Sequence, residues 1–173
     1  MIPMSGMFIS TGKISESLLI MREAAQWLID IGQPMWSLDE LDASVLKNEP
    51  NDFIVLHESD GTSVATCLLS FSDSFFWPDI PANSSGFIHK LAIKREYADK
   101  GYATLLVKYA AGLCRERGIY ELRLDCDPHR KGLCAFYENA GFRLVEMKQL
   151  ETKRLGKIDL AMYKLNISDG HYI

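Results

Sequence analysis

The sequence predicts an α+β, or mixed α/β, fold, and three observations carry that prediction. Helical periodicity marks residues 14–31 and 39–46, and the pattern then changes period to strand runs at 53–57 and 63–71. Strands then alternate with helices from 86 to 142 before two closing strands. At 173 residues the chain fits a single domain over 1–173. With 47% hydrophobic and 24% charged residues, it can bury a core without disulfides or metal.

The elements follow in order. Residues 7–11 read as a short first strand. Over 14–31, Leu18, Met21, Ala25, Leu28 and Ile29 recur at helical spacing, and Gly32 can end the helix. Gln33-Pro34-Met35-Trp36 is a break, and 39–46 reads as a second short helix capped by Ser37. Strands at 53–57 and 63–71 are joined by the turn Ser59-Asp60-Gly61. Residues 72–85 form a loop whose Phe75, Phe76 and Trp77 can pack over the core, line a pocket or meet a partner, packing being the expected role. A strand at 86–93 precedes a helix with Tyr102, Leu105, Leu106, Tyr109, Ala110 and Leu113 on one face, stopping near Gly118. A strand at 120–126 leads to a short helix carrying Leu133, Phe136, Tyr137 and Ala140, with Gly141 just past its end. Residues 142–150 and 157–165 read as antiparallel strands, and the last eight residues as a tail.

Composition narrows the function. A net charge of −4 argues against a nucleic-acid partner, which calls for a basic face. No apolar run reaches membrane-span length, and the start of the chain lacks a basic region followed by an apolar core. A cytoplasmic location with no membrane partner is expected. Cys67, Cys114, Cys126 and Cys134 show no CxxC pair, so buried reduced thiols are expected rather than a zinc site or a disulfide framework. Lys90, Lys94, Arg95 and Lys100 form a local basic cluster able to attract a polyphosphate.

The segment 88–118 carries the most chemistry. An apolar strand, a polar turn with Gly101 and a long amphipathic helix aim unpaired backbone N–H groups beyond the strand end, an arrangement that binds anions. In Asp99-Lys100-Gly101-Tyr102-Ala103-Thr104 the small Gly101 and Ala103 permit close approach of a ligand. The glycines of the phosphate loop and of the dinucleotide fingerprint are missing.

Leu91-Ala92-Ile93, the turn 99–104 and the helix to Gly118 resemble motif A of the GCN5-related N-acetyltransferase (GNAT) family. The block from Leu122 to Phe142, ending Tyr137-Glu138-Asn139-Ala140-Gly141-Phe142, resembles its motif B. The two blocks cover about a third of the chain, in the family's order. The resemblance implies a GNAT-like central, mostly antiparallel twisted sheet flanked by helices, with a cofactor core over 86–142 and an acceptor side over 14–50. It implies acetyl-CoA as co-substrate. Leu91, Ala92 and Ile93 would pair with the pantetheine arm, and Asp99, Lys100, Gly101, Tyr102, Ala103 and Thr104 would hold the pyrophosphate. Two positions depart from the family pattern. Ala98 stands where a Gln or Arg is usual, and Arg130, which can reach phosphate or point to water, where an Asn is frequent.

By the same resemblance Tyr137 protonates the CoA thiolate, although its place beside Leu133 and Phe136 also reads as core. A base must take the acceptor's proton, and His89 is the first candidate, with Asp125 and His129 as alternatives. Alternation puts Ile88, Lys90 and Ala92 on one side of the strand and His89, Leu91 and Ile93 on the other, where His89 can equally be a packed histidine. Asp127 reads as an N-cap with Pro128 in the first helical position. Trp36 and Gln33 fall where the family tends to bind acceptors, though a Trp in a break also serves as a core lid. Glu40 and Asp42 can attract a cationic amine or simply be solvated.

The expected activity is direct acetyl transfer to the amine of a small molecule or peptide, with no metal and no covalent intermediate. A CoA-binding sensor or interaction module without catalysis is the alternative, and the aromatic loop and final strands can support a homodimer.

Overall fold

The computed structural model describes residues 6–168. Among these, the strands are β1 (Phe8–Thr11), β2 (Asp52–His57), β3 (Ser63–Ser70), β4 (Gly86–Ile93), β5 (Glu121–Cys126), β6 (Arg143–Thr152) and β7 (Gly156–Asn166). The α-helices are α1 (Ile14–Asp30), α2 (Ala43–Leu46), α3 (Tyr102–Glu116) and α4 (Lys131–Asn139). Hydrogen-bonded neighbours run β1-β2-β3-β4-β5-β7-β6. The β4–β5 pair is parallel, whereas β1–β2, β2–β3, β5–β7 and β6–β7 are antiparallel. This is the mixed α+β class with a mostly antiparallel sheet that the sequence predicts.

Two compact units emerge: Met1–Ser70 with Ile88–Tyr109, and Phe71–Phe87 with Ala110–Ile173. In the first, α1 ends as expected at Gly32, whose φ of 75° is cheap only for glycine. Its N–H donates to Ile29 O at 3.0 Å, and Gln33 N–H to Leu28 O at 2.8 Å. The buried face of α1 is Ser17, Leu18, Ile20, Met21, Ala25 and Leu28, and Ile29 lies outside it. Leu18, Ile20, Met21 and Ala25 pack against Phe53, Val55, Leu68 and Ala92. One polar pair crosses this apolar layer and is satisfied there. Ser17 Oγ bonds Thr66 Oγ1, which donates to Ile54 O at 2.7 Å.

The predicted helix over 39–46 is two separate turns. Ser37 and Glu40 close a capping box around the 3-10 turn Leu38–Glu40. Asp42 then takes an extended backbone and accepts Ser44 N–H at 2.7 Å, starting α2 anew. The second cap competes with a continuous helix and wins.

In the second unit, Trp77 of the 72–85 loop is 7% exposed and packs with Phe87, Leu160 and Met162, as expected of a covering loop, while Phe75 faces solvent. Beside it the buried Arg123 donates from Nε to Ser85 Oγ at 3.0 Å and from Nη2 to Glu121 Oε2 at 2.9 Å. Lys164 Nζ donates to Glu121 Oε1 at 3.2 Å, so the buried guanidinium shares its carboxylate partner with a second cation. β6 forms one end of the strand order and carries an irregularity between Leu144 and Glu146. Leu144, Val145 and Met147 there are exposed. The expected tail is held at its start, because buried Ile167 donates its N–H to Tyr120 O at 3.0 Å. Residues 169–173 of that tail lie outside the described residues.

Truncating Leu68 tests the first core. Leu68→Ala empties a site 1% exposed and should cost about 2–5 kcal/mol. Leu19→Ala, on the solvent face of α1, should stay within about 0.5 kcal/mol. Urea unfolding midpoints of the two variants against the parent chain check both values.

Candidate active site

In the first unit the predicted site residues gather around β4. Lys90, inside this strand, has φ of 50°, a left-handed conformation that costs a non-glycine residue about 1–3 kcal/mol. Such a residue resets the alternation of side chains. His89 Nε2 lies 3.0 Å from Ser70 Oγ, and Ser70 shares a face of β3 with Thr66 and Leu68, the face that meets α1. Lys90 contacts Trp36 and Glu40, and Ala92 packs in the α1 cluster. His89, Lys90 and Ala92 therefore share one face, and the expected split of His89 from Lys90 is corrected. The backbone break at Lys90 is the physical reason.

The Lys90 ammonium sits 5.3 Å from the Trp36 ring centroid and 3.7 Å from Glu40 Oε1. Trp36 is half-buried and packs on the α1 cluster, so it combines the expected core contact with a polar face. Gln33 is exposed just past the end of α1. Glu40 is not merely solvated, while Asp42 serves as a cap, with its carboxyl held below the usual range by the Ser44 hydrogen bonds.

Beyond β4, Arg95–Tyr97 form a 3-10 turn, and Ala98 is half-buried and extended. Asp99 (φ 62°) and Gly101 (φ 79°) are both left-handed, after which α3 begins at Tyr102. A Cβ on Gly101 would meet nothing within 4 Å, so its glycine is required by dihedral rather than by space. The first amides of α3 have no carbonyl a turn earlier to bond, which leaves donors for an anion. The Tyr102 hydroxyl donates to Glu58 Oε1 on the β2–β3 hairpin and fixes this helix start. The basic cluster is largely engaged: Arg95 lies 4.3 Å over Trp27 and Lys100 4.9 Å over Tyr97. Farther along α3, Leu105 and Tyr109 are half-buried because they line an apolar groove of about 60 Å³ with Phe8 and Leu56.

The second unit brings β5 to α4. Tyr137 is 5% exposed, with ring centroids of Phe136, Phe142 and Tyr163 at 5.3, 5.7 and 6.2 Å. The Tyr163 hydroxyl donates to Glu138 Oε1 at 2.8 Å, tying β7 to α4. Gly141, at φ 98°, ends the helix as expected, with Phe142 N–H donating to Tyr137 O at 3.0 Å. The expected cap at Asp127 is corrected. The helix starts at Lys131, and Asp127 Oδ1 instead accepts His129 N–H at 2.9 Å in a tight turn before it. Arg130 is half-buried in the N-cap position. His129 is exposed, with Nε2 3.1 Å from Asp159 Oδ2, a surface pair. Asp125 is half-buried opposite Met162 of β7.

Residues 21–142 match the model of the acetyltransferase (GNAT) family. The uncharacterized N-acetyltransferase YesJ of Bacillus subtilis is 26% identical over 135 residues, 70% of this chain and 71% of that protein. Among solved structures, the ribosomal-protein-S18-alanine N-acetyltransferase from Escherichia coli aligns with TM-score 0.67 at 17% identity, covering 94% of each chain. A GNAT family acetyltransferase from Elizabethkingia anophelis with acetyl-CoA bound gives 0.63 at 12%, covering 95% of this chain and all of that one. Strand, left-handed turn and anion-ready helix thus belong to an acyl-transfer fold. The chain is a member of the GNAT acetyltransferase family, an enzyme of the N-acetyltransferase type.

Sequence reasoning missed Ser70, Glu58 and the backbone of Lys90. Only Tyr102, a tyrosine at the opening of α3, offered a signal for the Glu58 contact.

The Tyr102 tie makes a pH prediction. Donation to Glu58 and then burial push its hydroxyl up from 10.0 to about 12. The folded state holds this proton more tightly than the unfolded chain. The contribution is therefore full below pH 10 and is lost as pH rises toward 12. Tyr102→Phe should be less stable than the parent at pH 9, with the gap narrowing by pH 11.5 in urea unfolding.

Proposed function

We propose that the protein transfers an acetyl group from acetyl-CoA to an amine by direct attack. The observation that carries this reading is the run of β4, its left-handed residue Lys90, the turn at Asp99 and Gly101, and the start of α3 at Tyr102, where a helix leaves its first amides without intrahelical partners. Backbone groups from Leu91 to Ile93 would hold the pantetheine arm. The amides over Asp99–Thr104, Lys100 included, would hold the pyrophosphate. Nothing of Ala98 adds a charge, so affinity rests on backbone. No group of three His, Cys, Asp or Glu able to hold a metal occurs among the described residues. Among the same residues no helix is long and apolar enough to cross a membrane.

In the reaction, the acceptor's nitrogen attacks the thioester carbonyl, the C–S bond breaks and the CoA thiolate leaves. His89 takes the amine proton. Its Nε2 contact with Ser70 holds the ring in place. Tyr137 gives its proton to the thiolate; its aromatic packing fixes the ring, and the motif is the support for the role. The acceptor is a cationic primary amine. The Trp36 face and the Glu40 carboxylate already hold one ammonium, that of Lys90. Gln33 flanks that side.

Calorimetric titration with acetyl-CoA, free CoA and ATP tests the donor site. Saturable binding of the CoA species alone is expected, and no binding removes the transferase reading. An amine panel follows, in which binding without transfer would instead mark a CoA-binding module. Tyr137→Phe should lower kcat about 100-fold with acetyl-CoA affinity kept. Trp36→Ala should raise the acceptor KM with little change in acetyl-CoA affinity.

A further inference from the structure

Cys126 is the last residue of β5, and Cys134 lies in the first turn of α4. Their sulfurs are 3.7 Å apart, and both are free thiols. A disulfide needs about 2 Å, so the two atoms already in contact must close by little more than an ångström and a half. Cys126 is buried and Cys134 half-buried, which gives the pair an outer and an inner member. Cys67 and Cys114 differ in kind: each is wholly buried, with a thiol pushed up to about 12 by that burial. The sequence reading expects four buried reduced thiols and does not anticipate this contact.

We propose that Cys126 and Cys134 are a redox-modifiable pair that closes to an intrachain disulfide on exposure to low-molecular-weight disulfides. The Cys134 thiolate attacks one sulfur of the reagent, forming a mixed disulfide and releasing one reagent thiolate. Cys126, losing its proton to water, attacks Cys134 Sγ and releases the second thiol. Two protein thiols are oxidised by two electrons and one disulfide is reduced to two thiols. Burial and the contact with Cys134 raise the Cys126 thiol, so it acts second and closure quickens as pH rises.

The closure acts on α4 directly. Cys134 is three residues before Tyr137 and four before Glu138, which accepts from Tyr163. Drawing the first helical turn toward the end of β5 shifts this helix against β7. Resting on the reading of Tyr137 as the acid, the oxidised protein is the slower enzyme.

The test treats the full chain with oxidised glutathione, then traps free thiols with an alkylating agent and measures intact mass and cross-linked peptides. Expected is a disulfide between the peptides carrying Cys126 and Cys134, absent in Cys134→Ser, with Cys67 and Cys114 alkylated only after denaturation. A stable glutathione adduct on Cys134 without ring closure, or no reaction of either thiol, overturns the proposal. Because this readout needs no substrate, it stands or falls independently of the transferase reading. Turnover of the oxidised chain should fall at least about fivefold, equivalent to about 1 kcal/mol, and recover on reduction, while Cys134→Ser keeps its rate in either buffer. Unchanged turnover with the disulfide formed overturns the regulatory part alone.

Discussion

A strand interior does not accept φ near +50° unless its surroundings hold it there, and at Lys90 they do. The ammonium is drawn to the Trp36 ring and the Glu40 carboxylate, and the preceding His89 is held by Ser70. The arrangement of the first unit depends on this one residue. Without the reset, His89 would fall on the opposite side from Lys90, away from the α1 layer. Trp36 in turn owes its position to the break after Gly32 and to the capping box that begins at Ser37. Local strain in the strand is thus offset by contacts from a segment fifty or more residues earlier.

The helix start after β4 is held by different means. Two left-handed residues turn the chain, and the Tyr102–Glu58 hydrogen bond ties the start of α3 to the β2–β3 hairpin. The start of α3 is therefore fixed by backbone dihedrals and one side-chain hydrogen bond. Three nearby cations lie over aromatic rings or beside a carboxylate instead. Such an arrangement favours a ligand recognised through backbone geometry over one drawn in by net charge.

Much of this was legible in the chain itself. The period of α1, the glycines at 32, 101, 118 and 141, and the turn residues between β2 and β3 are local signals, and local structure follows them. What escaped were outcomes of competition or long-range contact. Asp42 outcompetes a continuous helix over 39–46 because its carboxylate reaches Ser44 N–H, and Asp127 forms a turn rather than a cap. The sign of φ at Lys90 is set by partners in other elements, which no alternation pattern records. The Cys126–Cys134 contact spans a strand end and a helix start only eight residues apart, yet neither residue type nor spacing signals it.

The irregularity in β6 has its own consequence. An edge strand with regular backbone and apolar side chains invites another chain to extend the sheet. β6 exposes Leu144, Val145 and Met147, which would make it such a template. The register shift between Leu144 and Glu146 breaks the repeat of outward donors and acceptors at that place, and Arg143, Glu146, Lys148 and Glu151 intersperse charge. The margin keeps a greasy surface for side-chain contact while refusing to propagate backbone pairing, a built-in guard against fibre-like growth.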